Sequence, residues 1–103
     1  MIMDHFFIQT KLLLSGQEAP FTGEFVNMAR GRDTSFTAYS SGEGSITLQY
    51  KSPFFRDDWI SFYSFTGLST GYAPPAYLTT PMTHVRAVSD GTGSFWCALT
   101  TQN

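Results

Sequence analysis

Apolar and polar residues alternate with a period of two along most of this chain. The clearest run is Ile46 to Lys51, where Ile46, Leu48 and Tyr50 point one way and Thr47, Gln49 and Lys51 the other. A strand buried on one face writes this pattern, because successive side chains leave opposite sides of the backbone. Phe95, Cys97 and Leu99 repeat it near the C-terminus, with Trp96, Ala98 and Thr100 on the opposite face. At the other end Phe6, Ile8, Leu12 and Leu14 share one parity against Gln9 and Lys11, and Leu13 interrupts the alternation. Phe21 to Val26, Phe36 to Tyr39, Trp59 to Phe65 and Met82 to Val88 supply the remaining runs. No segment carries apolar residues at helical spacing between capping residues.

Turn residues punctuate the runs every 8–12 residues or so, as in sandwiches and barrels. Asp90-Gly91 between two strands predicts a hairpin. Together these signals predict an all-β fold: a single antiparallel β-sandwich of seven to eight strands spanning residues 1–103. Strand count alone fits jelly-roll or Ig-like connectivity. Residues 1–14 read as an N-terminal arm or an edge strand. Thr66 to Tyr77 is the longest irregular stretch, and its Tyr, Gly and Pro content predicts an exposed contact loop.

Composition narrows the function classes. At 103 residues the chain can build one modest core. Aromatics reach 17% and charged residues only 14%, against about 25% charged in an average domain. Twenty-four residues are Ser or Thr. Disorder requires the opposite balance. Six Lys+Arg against eight Asp+Glu give a net charge of -2, which leaves no basic excess for phosphates, so nucleic acid is not an expected partner. No run has the makings of a signal peptide or a membrane span, so synthesis in a reducing cytoplasm and no membrane partner are expected. Cys97 is the single cysteine; it cannot form an internal disulfide and reads as a small buried apolar residue.

Candidate chemistry is sparse. Asp57 and Asp58 are adjacent, so on a strand they point to opposite faces. His5 and His84 have no clustered third ligand. No Gly-x-Ser-x-Gly elbow is present. Ser89 to Ser94 lacks the Lys and the helix of a phosphate loop and reads as a turn. No catalytic residue, metal site or cofactor is expected. The residues with contact character are the loop aromatics Phe54, Phe55, Tyr72 and Tyr77, the adjacent pair Phe6 and Phe7, and Arg30 and Arg32 in a turn. One of Phe6 and Phe7 must leave the core face, and the two arginines suit an acidic partner. These eight are the candidate partner-binding residues.

The run Gly44 to Pro53, then Asp58-Trp59, then Val85 to Gly91 and a final apolar strand resembles a group of small virion proteins of tailed bacteriophages. Gly31 to Ser40 fits the preceding strand, so the resemblance covers about Gly31 to Thr101. Two departures stand out: Ser52 to Arg56 replaces a Gly-rich turn, and the Thr66–Pro81 connection is longer and richer in Tyr and Pro. The resemblance implies a β-sandwich of the capsid decoration (cement) type, a trimer on the capsid surface whose partner is the major capsid protein. A neck, tail or fibre-attachment component is the nearest alternative. A carbohydrate-binding module for host glycans is the alternative from another class; it requires a row of coplanar exposed aromatics.

Overall fold

The computed structural model describes residues 8–27, 33–51, 58–73, 76–78 and 84–102. Ten strands fall in that range. They are β1 (Ile8–Glu18), β2 (Phe21–Thr22), β3 (Val26–Asn27), β4 (Asp33–Ser40) and β5 (Gly44–Lys51). β6 (Trp59–Leu68), β7 (Gly71–Tyr72), β8 (Ala76–Leu78), β9 (His84–Gly91) and β10 (Ser94–Gln102) follow. One sheet has the order β1-β10-β4-β7, with β8 also on β4; the other has the order β2-β9-β5-β6, with β3 also on β9. Every pairing is antiparallel.

The count exceeds seven to eight because two strand positions are interrupted. β2 and β3 lie in line against β9, and the register slips by one residue between Thr22↔Val88 and Val26↔Val85. β7 and β8 lie in line against β4, with a one-residue slip between Tyr39↔Tyr72 and Phe36↔Ala76. Taken as continuous positions they leave eight. First then pairs with last, second with seventh, third with sixth and fourth with fifth. That is the jelly-roll connectivity. An Ig-like order would set the first strand beside the second, whereas β1 pairs with β10.

This topology overturns two expectations. Asp90-Gly91 does not close a hairpin, because β9 and β10 lie in different sheets. In a jelly roll the one hairpin between successive strands is the fourth with the fifth, here β5 with β6. Thr66 to Tyr77 is not one irregular loop either. β6 runs on to Leu68, and β7 and β8 dock on β4. The Gly and Pro content marks short, interrupted edge strands rather than an absence of strand.

The connections at one end are tight. Thr92 N–H donates to the Glu43 carbonyl at 2.8 Å and Ser41 N–H to the Ser94 carbonyl at 2.9 Å, which ties two sheet-to-sheet crossovers together. Gly91 makes this approach possible. Its φ is +123°, and a Cβ there would sit 2.2 Å from the Glu43 carbonyl oxygen.

The core lies between the sheets. Phe36, Ala38, Phe95, Cys97, Leu99 and Leu14 come from the first; Ile46, Leu48, Phe65, Val85 and Ala87 come from the second. All are buried. Phe36 reaches across to Phe62 of β6, with ring centroids 6.0 Å apart. At roughly 1.5–3 kcal/mol for each large apolar side chain, this layer is the main stabilising contribution. The alternation seen at Ile46–Lys51 and Phe95–Thr100 therefore maps onto inside and outside as expected. The N-terminal parity does not. β1 carries a bulge between Leu12 and Leu14, where Leu13 has no partner on β10. The extra residue turns Leu12 outward, while Leu13 and Leu14 are both buried.

Candidate interaction surface

The outer face of the first sheet is built from cross-strand rows. Ser15, Trp96, Tyr39 and Tyr72 stand opposite one another on β1, β10, β4 and β7. The next row is Leu12, Ala98 and Thr37, and the next is Thr10, Thr100 and Ser35. The Thr10 and Thr100 hydroxyls lie 3.3 Å apart. Strand alternation dictates the face: Phe95, Cys97 and Leu99 turn inward, so Trp96, Ala98 and Thr100 must turn outward. Among the described residues of these rows no side chain is charged. Lys11, on the same edge strand, reaches instead to the Asn27 carbonyl at 3.4 Å.

The aromatic row is packed. Tyr39 and Trp96 have ring centroids 5.2 Å apart and Tyr39 and Tyr72 4.7 Å apart, tilted by 59° and 55°. Such pairs are worth about 0.5–1.5 kcal/mol beyond their burial. A second bulge on β1, between Ser15 and Gln17, brings Gly16 under the indole. Its φ is +96°, and a Cβ would lie 3.0 Å from three Trp96 ring atoms. Glycine thus seats Trp96 against the sheet. Even so, Tyr72 remains 85% exposed and Leu12 59%. A shallow depression runs between them, lined by Leu12, Thr37, Tyr39, Tyr72, Trp96 and Ala98.

The outer face of the second sheet is polar. The Thr47 and Ser64 hydroxyls lie 3.2 Å apart, and Gln49 donates to the Ser61 hydroxyl at 3.2 Å. Arg86 Nε donates to Gln49 Oε1 at 2.8 Å, and its guanidinium carbon lies 4.3 Å from the Trp59 ring centroid. Lys51 Nζ is 5.9 Å from that centroid. Phe25 flanks the cluster against His84 and Trp59, with centroids 5.0 and 6.0 Å away.

Of the eight residues singled out from the sequence, Tyr72 stands on the uncharged face. Tyr77 lies on β8 opposite Ser35. Phe6, Phe7, Arg30, Arg32, Phe54 and Phe55 lie outside the described residues. Sequence reading missed Leu12, Tyr39 and Trp96. The outward parity of Trp96 was readable, but its meeting with Tyr39 and Tyr72 depends on non-local pairing. Leu12 was hidden by the bulge.

Groups with chemical potential are few. Burial pushes the Cys97 thiol up from 9.0 to about 12, so it stays protonated at neutral pH. Among the described residues no three His, Cys, Asp or Glu side chains stand together as a metal site would require.

No family model matches the chain, and no curated protein matches it. Solved structures do. The chain superposes on the SPBc2 prophage-derived protein YomS with a TM-score of 0.71 at 11% identity, over 100% of this chain and 99% of that one. PirA gives 0.42 at 16% identity over 100% and 97%. A subunit of Bacillus endospore appendages, described as disulfide-linked pili, gives 0.48 at 13% over 96% and 88%. The first establishes a shared sandwich fold over the whole chain; the other two are too distant to bear on it.

Proposed function

We propose that this chain is a structural component of a phage-type particle, and specifically a capsid decoration protein that bridges major capsid subunits through the outer face of its first sheet. The observation that carries the proposal is the three uncharged rows that include Trp96-Tyr39-Tyr72, with Tyr72 and Leu12 strongly exposed. Depletion of charge and enrichment in Tyr and Trp are what the centre of a protein interface shows. A docked shell would bury that face and resist internal pressure by adding contact area between subunits.

The edge strands support face-on docking. The inner ladders β10·β4 and β5·β9 run without a register shift, whereas the edge ladders β1·β10 and β5·β6 carry two each. Bulged edges resist strand addition. The fold shared with a protein described as prophage-derived fits the same setting. A ring of three copies on the shell completes the reading, and the chain acts without catalysis. A glycan platform is less well supported, because the middle ring of the row, Tyr39, is tilted against both Trp96 and Tyr72 rather than coplanar with them.

The test is co-sedimentation of purified chain with undecorated particles. Tyr72→Ala and Leu12→Ser should each lower occupancy at least tenfold while both variants stay folded with a cooperative melting transition. Undiminished occupancy in both variants rules out this face as the docking surface.

A further inference from the structure

The opposite face carries a second feature that particle docking through the first sheet does not use. Arg86 is held from two sides. Trp59 lies under its guanidinium at 4.3 Å, and Gln49 takes the Nε proton at 2.8 Å. Gln49 is itself fixed by its bond to Ser61. Gln49 is the register partner of Arg86 on the adjacent β5, while Trp59 reaches it from β6, one strand further on and in the next outward row, opposite Lys51. Among the described residues neither of these two partners is a carboxylate, in a chain whose acidic residues outnumber its basic ones. With Nε engaged, the end-on pair of Nη groups is left. Arg86 is only half-buried.

We propose that Arg86 is a preformed receptor for a carboxylate, and that its occupant is an acidic segment of a protein partner. An Arg fork takes the two oxygens of a carboxylate in one plane, and a fork already immobilised loses less side-chain freedom on binding. Charge complementarity selects an acidic ligand. The apolar wall selects a peptide over a bare anion: Trp59 and the exposed ring of Phe25 stand beside the fork. One fork with few neighbouring cations is too little for a nucleic-acid backbone.

The experiment is an NMR titration of the full-length chain labelled with nitrogen-15, following the Arg86 Nε–H and the two indole N–H signals. The probe is acetyl-tetraglutamate amide, with the tetraglutamine peptide, glucuronate and inorganic phosphate run in parallel. Saturable shifts of Arg86 and Trp59, with Trp96 on the other face unmoved, are expected for tetraglutamate. Arg86→Lys keeps the charge and loses the fork; it should weaken binding about tenfold, and Arg86→Gln should abolish it. Gln49→Ala, which leaves charge and stacking intact, should weaken it several-fold and guards against misfolding of the Arg86 variants. Equal shifts with tetraglutamine, no saturable shift with tetraglutamate, or wild-type affinity in Arg86→Lys and Gln49→Ala overturns the proposal. Tighter binding of glucuronate or phosphate than of the peptide overturns the protein partner and transfers the site to an acidic sugar or a free anion.

Discussion

The two outer faces of this sandwich have the same architecture and opposite chemistry. Each is a four-position antiparallel face whose outward residues are fixed by strand alternation. On the first, Leu12, Tyr39, Tyr72, Trp96 and Ala98 are gathered with Ser and Thr in three uncharged rows, with Glu18 beyond them opposite Ser94. On the second, Thr47, Gln49, Ser61, Ser64 and Arg86 bond to one another. Water satisfies the second face well and the first poorly. Under the proposed reading Tyr72 and Leu12 of the first face meet a partner, while the second face meets water except at the Arg86 fork.

The largest effect should come from crossing between inside and outside within a single strand. Phe95 and Trp96 are adjacent on β10, yet Phe95 is fully buried and Trp96 faces out. Phe95→Ala should cost about 3–5 kcal/mol in urea unfolding, through lost transfer energy plus a cavity. Trp96→Ala should cost markedly less. Equal costs would mean that the aromatic row is as important to the fold as the core.

How much of this was legible beforehand depends on whether the signal was local. The alternation at Ile46–Lys51 and Phe95–Thr100 gave the correct faces because those strands sit on the unbulged inner ladders. Leu12 was assigned to the wrong face because one inserted residue reverses parity, and no residue at Leu12-Leu13-Leu14 signals a bulge. Asp90-Gly91 misled because turn chemistry records a reversal without saying which sheet the chain enters next. The aromatic row was invisible for a related reason: Tyr39, Tyr72 and Trp96 are brought together by register between distant segments. Tyr72 alone was found, through its setting among Gly and Pro.

Next in size is the seat of the aromatic row. Gly16→Ala forces a Cβ onto a backbone at φ +96° and to within 3.0 Å of the Trp96 indole. The left-handed conformation costs an L-residue about 1–2 kcal/mol, to which the displaced ring adds. Urea unfolding followed by tryptophan emission should show the loss together with a change in the native spectrum. A native spectrum identical to that of the parent chain would show that Gly16 does not position the indole.

Cys97 probes the layer that separates the faces. Its thiol holds its proton to about 12 in the folded chain, against 9.0 for the ordinary group. Between those values the unfolded state has ionised and the native state has not. The unfolded chain then binds fewer protons, and stability falls as pH rises. The contribution is fully present below pH 9 and is lost from there toward 12, at up to about 1.4 kcal/mol per pH unit. Cys97→Ala should flatten the stability profile over that window relative to the parent. The same protonation makes the thiol slow toward disulfide reagents at pH 8 until the chain unfolds; fast labelling of the folded chain would contradict its burial.

The smallest change in stability should accompany the largest change in attachment. Leu12→Lys places a charge in the uncharged rows, at their β1 edge, on a side chain already 59% exposed. In the free chain the ammonium stays hydrated, so unfolding free energy should shift by no more than about 0.5 kcal/mol. In a docked complex the same ammonium must leave water without a partner, which costs several kcal/mol. Ser64→Lys is the matched control on the polar face, where a charge meets only solvent and hydroxyl groups. If the faces differ as described, the two variants melt together and only Leu12→Lys fails to attach to particles. If both attach, the first face is not the one that docks; if both fail, added positive charge anywhere on the chain is enough to block attachment, and the contrast between the faces is not what governs it.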